Sequence, residues 1–255
     1  MKSLDKLDTQ TLKYILKNAV LEKQEKSQND FMTFVKQVWP EFIEGKHHKI
    51  YAEKLNRIAS GELKRLIVNM PPRHTKSEFA SHLFPAFYMG RHPKAKIIQT
   101  THTGELAIRF GRKAKNLIES DEYERVFPDV RLAADSKAAG RWESNHKGEY
   151  FAAGVGGAIT GRGADLLIID DPHSEQDALS PHVLDAHSGP RQRLQPGGAI
   201  VLVMTRWSIK DLTGKLLDAQ GKDENSDQWE IVEFPAVIND KPMWGNFWTM
   251  DGLNG

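Results

Sequence analysis

Cysteine is absent from the 255-residue chain. That excludes a disulfide framework and any thiolate-held metal, and is compatible with a reducing compartment. Long apolar runs are missing too, and none approaches the about 20 residues that span a bilayer as a helix. The first ten residues, MKSLDKLDTQ, carry too much charge for a signal peptide. A cytosolic protein with no membrane partner is therefore expected. Nor does one sign of charge dominate: 35 Lys and Arg stand against 34 Asp and Glu, a net charge of +1. Overall charge thus announces no nucleic-acid partner. Internal repeats and low-complexity tracts are lacking. With 39% apolar and 27% charged residues, the chain has room for one large α/β domain or two small ones.

Charge is unevenly distributed. Arg91, Lys94, Lys96, Arg109, Arg112, Lys113 and Lys115 face the single acid Glu105 over that stretch, and acids gather in 119–135 and 165–185. Such segregation suits either a phosphate-backbone contact or a solvated helix face balanced by nearby acids.

Apolar spacing predicts a helical prefix over residues 1–60, in three pieces at 3–26, 31–45 and 47–60. Pro40 should break the second and Gly61 end the third. An alternating part follows over 61–240. Strands are expected at 66–70, 96–101, 166–170, 199–205 and 230–234, with helices at 77–89 (kinked at Pro85) and 104–119. The Gly-rich 149–163 reads as a hairpin. Apolar strands alternating with helices argue a mainly parallel sheet covered on both faces. Residues 241–255, rich in Trp, Gly and Asn, lack periodicity and read as a linker-like tail.

Glycine is missing where it is most expected. Residues 70–77, Met-Pro-Pro-Arg-His-Thr-Lys-Ser, follow the first apolar strand. They stand where a G-x-x-x-x-G-K-[ST] phosphate loop would, with Met70 and Thr75 at the glycine positions. Lys76 and Ser77 keep the charge and metal positions. Pro71 and Pro72 fix φ and hold the loop open by rigidity, Arg73 is a cation within the loop, and His74 shapes it. The second half of such a site is the strand 164–171, whose apolar run ends in Asp170-Asp171. Two carboxylates at the C-terminal end of a buried strand need a cation. Asp170 would hold Mg²⁺ together with Ser77, and Asp171 would polarise water. An extra strand, 96–101, separates the two motifs. A third strand ends in Thr205-Arg206, a hydroxyl and a guanidinium on the rim where the γ-phosphate of ATP should lie. Transition-state charge needs an arginine. Arg73 could act in cis. Arg162, between Gly161 and Gly163, could reach a neighbouring subunit or DNA, or simply serve its turn. No histidine shows metal-ligand spacing.

Together these motifs resemble the ATPase domain of the large terminase subunit of tailed bacteriophages, the motor that packages DNA into proheads. PPRHTKS (71–77), GVGGAITGRGADLLIIDDP (154–172) and VMTRWSIKDLTGKLL (203–217) carry the resemblance. It implies a P-loop NTPase with a strand inserted between Walker A (Lys76, Ser77) and Walker B (Asp170). Asp171 takes the catalytic-carboxylate position, and Thr205-Arg206-Trp207 couples hydrolysis to motion. ATP, Mg²⁺, double-stranded DNA, a small terminase subunit, a portal protein and a homo-oligomeric ring in the bacterial host cytoplasm are implied with it. There are three departures. The chain stops at Gly255, before the nuclease domain usual in the family, so an isolated motor domain or truncated product is expected, without DNA cleavage. The 180–190 stretch is shorter than the family's helix there. The carboxylate is Asp171 rather than the commoner Glu, with Glu175 a weaker substitute. A helicase-like nucleic-acid-dependent ATPase and a prophage remnant with weak or no turnover are the alternatives.

Overall fold

Short polar side chains start the helices of the prefix. Asp8 accepts the N–H groups of Gln10 and Thr11 and opens α1 (Thr9–Asn29). Asp30 accepts the Thr33 N–H at 2.7 Å and opens α2 (Phe31–Val38). α2 stops just before Pro40. α3 (Lys46–Ser60) ends at Gly61, which takes the left-handed conformation (φ +80°) that glycine adopts at little cost. The computed structural model describes residues 8–136, 138–157, 162–173 and 191–254.

Seven strands form the central sheet: β1 (Arg65–Asn69), β2 (Lys96–Thr101), β3 (Arg141–Glu143), β4 (Glu149–Gly154), β5 (Ala164–Asp170), β6 (Leu194–Met204) and β7 (Glu230–Glu233). Their spatial order is β3-β4-β2-β5-β6-β1-β7. Every neighbouring pair is parallel except β3 with β4. This is the mainly parallel α/β sheet with a helical prefix expected from the sequence. Two details differ. The strand lying between β1 and β5 is β6, while β2 (96–101) sits on the far side of β5. Insertion in chain order is not insertion in the sheet, because β6, later in the chain, takes the slot between β5 and β1. The described residues of the 149–163 stretch do not pair with one another: β4 pairs with β3 upstream and lies parallel to β2, and 158–161 lie outside the described residues.

Strand alternation sorts the core into two faces. Leu66, Val68, Ile97, Leu166, Ile168, Val201 and Val203 join the larger cluster with α2, α3 and the helical residues of 79–89 and 107–118. Ile67, Ile98, Leu167, Ile169, Ile200 and Leu202 point the other way, toward Trp229 and Leu212 of α7 (Leu212–Lys222). The prefix is docked by aromatic rings. Phe31 lies 5.5 Å from Phe79, 5.5 Å from Phe84 and 5.3 Å from Phe87. Each such buried ring contributes about 1.5–3 kcal/mol, so α2 is bound firmly to the helix behind the 70–77 loop. That helix begins at Lys76, widens into a π-helical stretch (Glu78–Leu83) and continues as α4 (Phe84–Arg91). Pro85 lacks an N–H to donate back, and the kink expected there is taken up as the wider turns before it. α5 (Gly104–Ile118) and α6 (Asp121–Val126) complete this layer.

The tail does not run free. Residues 237–238 and 241–242 form a small antiparallel pair, β8 and β9. Trp244 is 4% exposed. Its ring centroid lies 4.8 Å from His48 and 5.5 Å from His47, and Trp248 stacks on His74 at 5.9 Å. A one-turn helix, α8 (Met250–Asn254), follows. A sequence without periodicity can still be held by isolated large rings, and the partners here lie some two hundred positions upstream. Among the described residues, no helix is long and apolar enough to cross a membrane.

Candidate nucleotide site

Parallel strands bring their C-terminal ends to one edge of the sheet. In register, Asn69 pairs with Met204, Val203 with Asp170, and Asp170 with Thr101. The segments leaving these ends are the 70–77 loop, Asp171 and Thr205-Arg206, so three motifs far apart in sequence converge on the edge where open α/β sheets bind ligands.

Lys76 is nearly buried, and its Nζ lies 2.9 Å from Asp171 Oδ2. The other oxygen, Oδ1, accepts the backbone N–H of Thr205 at 2.9 Å. The Asp171 carboxylate is thus held at both ends, by the loop lysine and by the residue after β6. Its backbone is held as well, the N–H by Val203 O and the carbonyl by the His102 N–H. Asp170 lies deeper, 1% exposed. Ser77 Oγ donates to its Oδ1 at 2.9 Å and Ser81 Oγ to its Oδ2 at 2.7 Å. Burial, and then the Asp171 charge beside it, push Asp170 up to about 7. Ser81, Lys76 and Ser77 act in the opposite sense. Sequence motifs do not single out Ser81, although its place four residues after Ser77 puts both hydroxyls on one helix face.

The loop has its own internal support. Arg73 (φ +60°) and Thr75 (φ +69°) both adopt left-handed backbone. For a β-branched residue this is an outlier, and Thr75 stands where the common pattern has glycine. A relay holds it. The Gly45 N–H donates to His48 Nδ1 at 2.8 Å, which leaves the ring proton on Nε2. Nε2 then faces Thr75 Oγ1 at 2.7 Å, and the hydroxyl donates to His74 O at 2.5 Å. Burial, helped by His47 and His74, lowers the His48 pKa to about 3, so the ring is neutral. His74 is 1% exposed and turned inward, its Nδ1 on Pro72 O at 2.8 Å. It shapes the loop from behind. Tyr51 Oη donates to Lys76 O at 3.3 Å. Pro71 and Pro72 lie toward the surface, and Pro71 borders a cleft of about 790 Å³ with Met70, Thr205, Trp207 and Phe234.

The arginines fall differently. Arg73 is exposed on the loop, with no ion-pair partner among the described residues. Arg162 is elsewhere: its Nη1 lies 3.2 Å from Glu149 and its guanidinium is 4.4 Å from the Phe151 ring centre. Glu149 pairs in register with Lys96, at the opposite end of β2 from Thr101. Phe151 pairs with Ile98, so at about 3.3 Å per residue the three to five residues up to Thr101 put Arg162 roughly 10–16 Å from Asp170 along the strands. An acid and an aromatic face hold it there, away from the 70–77 loop of its own chain. Arg206 borders the site but is turned aside, its Nε on Asp211 at 2.9 Å and its Nη1 on Glu233 at 2.8 Å. Of the basic helix α5, Arg109 and Arg112 are exposed, while Lys113 pairs with Glu78. Glu175, Gly161 and the 180–190 stretch lie outside the described residues.

No protein-family model and no curated protein matches this sequence. Solved structures do. The large terminase of a thermophilic bacteriophage, in complex with ADP, aligns at TM-score 0.46 and 12% identity, over 79% of this chain and 48% of that one. The large terminase of bacteriophage HK97 aligns at TM-score 0.50 and 15% identity, over 78% of this chain and 40% of that one. The chain therefore spans less than half the length of either protein. At this identity the likeness is one of architecture, and the chain has the fold of the HK97 phage large terminase over about four-fifths of its length.

Proposed function

We propose that the chain is the ATP-hydrolysing motor domain of a phage terminase large subunit, which moves double-stranded DNA into a prohead. The observation that carries this reading is the convergence of Lys76, Ser77, Asp170, Asp171 and Thr205 at one edge of the sheet. Lys76 and the N–H groups at the start of its helix bind the phosphates, with the helix dipole adding to the attraction. Ser77 and Asp170 offer two hard oxygen donors joined at 2.9 Å. That set fits Mg²⁺, which takes one or two protein oxygens and fills its shell with water and substrate phosphate. Among the described residues no cage of three or more His, Cys, Asp or Glu competes with it. Bound there, Mg²⁺ supplies charge neutralisation at the β- and γ-phosphates.

Asp171 orients the attacking water. Its Oδ2 is engaged by Lys76. Phosphate binding draws that ammonium away and frees the oxygen to accept a hydrogen bond from water. The Thr205 N–H keeps Oδ1 aimed meanwhile. Arg73 is the cation placed to neutralise developing charge in cis, and Arg162 is left for a contact with another subunit or with DNA. The small terminase subunit, a portal protein, a homo-oligomeric ring and the host cytoplasm belong to the same reading. So does a DNA contact through Arg109 and Arg112 on α5.

Steady-state phosphate release from ATP with Mg²⁺ tests this, using the parent chain and Asp171→Asn with duplex or single-stranded DNA. We expect turnover stimulated by duplex, and a loss of about 10²–10³-fold in kcat for Asp171→Asn. Stimulation by single strands alone would favour a helicase-like enzyme, and an unchanged Asp171→Asn rate would remove the carboxylate from the reaction.

A further inference from the structure

One buried carboxylate organises the turn that carries Thr205. Asp211 has no solvent exposure. Its Oδ2 accepts from Arg206 Nε at 2.9 Å and from the backbone N–H groups of Trp207 at 3.2 Å and Ser208 at 3.4 Å. Its Oδ1 accepts from the Gly214 N–H at 3.0 Å, which caps α7. A charge this deep is tolerated because a guanidinium and several amides face it.

The network then continues toward the phosphate loop. Arg206 reaches Glu233 Oε1 at 2.8 Å, and that oxygen also accepts Asn69 Nδ2 at 3.0 Å. Asn69 Oδ1 accepts Thr213 Oγ1 at 3.0 Å, on the first turn of α7. The ring closes through the ends of β1 and β7, the turn after β6, and α7. Two of its members abut the site: Asn69 immediately precedes the loop, and Arg206 immediately follows Thr205. The Thr205 N–H is what holds Asp171 Oδ1 from this side, at 2.9 Å.

We infer that Asp211 is a positioning residue for Asp171, acting through Arg206 and the 205–208 turn to aim the Thr205 N–H at the carboxylate. The inference rests on Asp171 being the carboxylate that orients water. Asp211 touches neither phosphate nor water, and the loop has separate anchors in His48 and Tyr51. Its loss therefore weakens the chemical step while leaving nucleotide binding in place.

Asp211→Ser is the informative variant, because a serine still caps the Gly214 N–H but is too short to hold Arg206. We expect kcat for ATP to fall about 30–100-fold, the scale of a displacement near 1 Å, with KM within about threefold of the parent. Exchange of the Thr205 amide should quicken about tenfold while the amides of β1 keep their protection. Arg206→Gln should give the same split, and the double variant should be little worse than either alone. Asp211→Asn, which retains one acceptor oxygen for the turn amides, should recover part of the rate. Unchanged Thr205 exchange, or an unchanged kcat in a parent that turns over, would overturn the inference. So would a parallel loss of kcat, nucleotide affinity and β1 protection, which marks a structural cap. A parent without turnover would sink the ATPase reading alone, and Thr205 exchange would still decide this one.

Discussion

Thr75 concentrates the chemical compromise of the loop. A β-branched residue at φ +69° gives up about 1–2 kcal/mol relative to a relaxed backbone. Two hydrogen bonds through its hydroxyl, to His48 and His74, return about 0.5–1.5 kcal/mol each. The strain and the bonds nearly cancel, which explains how the loop keeps its shape without glycine. Thr75→Gly also orphans the His48 N–H but relieves the strain and leaves space for water beside the ring, so it should change stability by less than about 1 kcal/mol. Thr75→Val keeps the strain and leaves the His48 N–H buried without a partner, so it should cost about 2–4 kcal/mol. Urea unfolding of the two variants checks this, and a Val variant more stable than the Gly variant would contradict it. The deviation from the glycine pattern is legible in the sequence. Its remedy is not, because His48 lies 27 positions upstream and its spacing carries no motif.

Strands and helices explain why some of the site can be read in advance and some cannot. Apolar runs ending in Lys-Ser or Asp-Asp mark strand ends locally, and a parallel sheet then collects them on one edge. Strand order depends on pairings across the whole chain, so chain order points to 96–101 as the strand between β1 and β5 when it is β6. Flanking glycines indicate an exposed turn at Arg162 without saying which strands the side chain meets, and its contacts with Glu149 and Phe151 carry no sequence signal. The tail shows the limit of periodicity, with Trp244 and Trp248 closing on His47, His48 and His74 behind the loop. Burial lowers His47 to about 4 and His48 to about 3, in each case with a smaller contribution from neighbouring histidines. Both folded values lie below the unfolded 6.5, so the unfolded chain takes up protons first as pH falls. Stability from the neutral rings is intact above about pH 6.5 and drains away as pH drops toward about 4. Melting temperature measured from about pH 7 to about 4.5 should fall less steeply for His47→Phe than for the parent. Parallel curves would mean that this cluster does not contribute to acid sensitivity.

At the scale of the whole molecule, the sheet does two jobs with one edge. Its C-terminal rim assembles Lys76, Ser77, Asp170, Asp171 and Thr205, while the buried faces behind it are fastened to the helical prefix through Phe31 and its ring partners. A rigid backing of this kind keeps a lysine and a carboxylate from the two strands flanking β6 2.9 Å apart, the pair that the proposed mechanism has phosphate separate. The fold shared with the HK97 large terminase covers 78% of this chain and 40% of that one, and the proposed function concerns the motor step alone. Its most direct test is Mg²⁺-dependent phosphate release from ATP by the parent chain and by Lys76→Ala, measured side by side on folded protein. We expect measurable turnover in the parent and a loss of at least about 10²-fold in the variant, the scale for removing a preorganised charge from a transition state. Equal rates in the two proteins, or none in the parent, would contradict the assignment of the 70–77 loop as the engine of an ATPase.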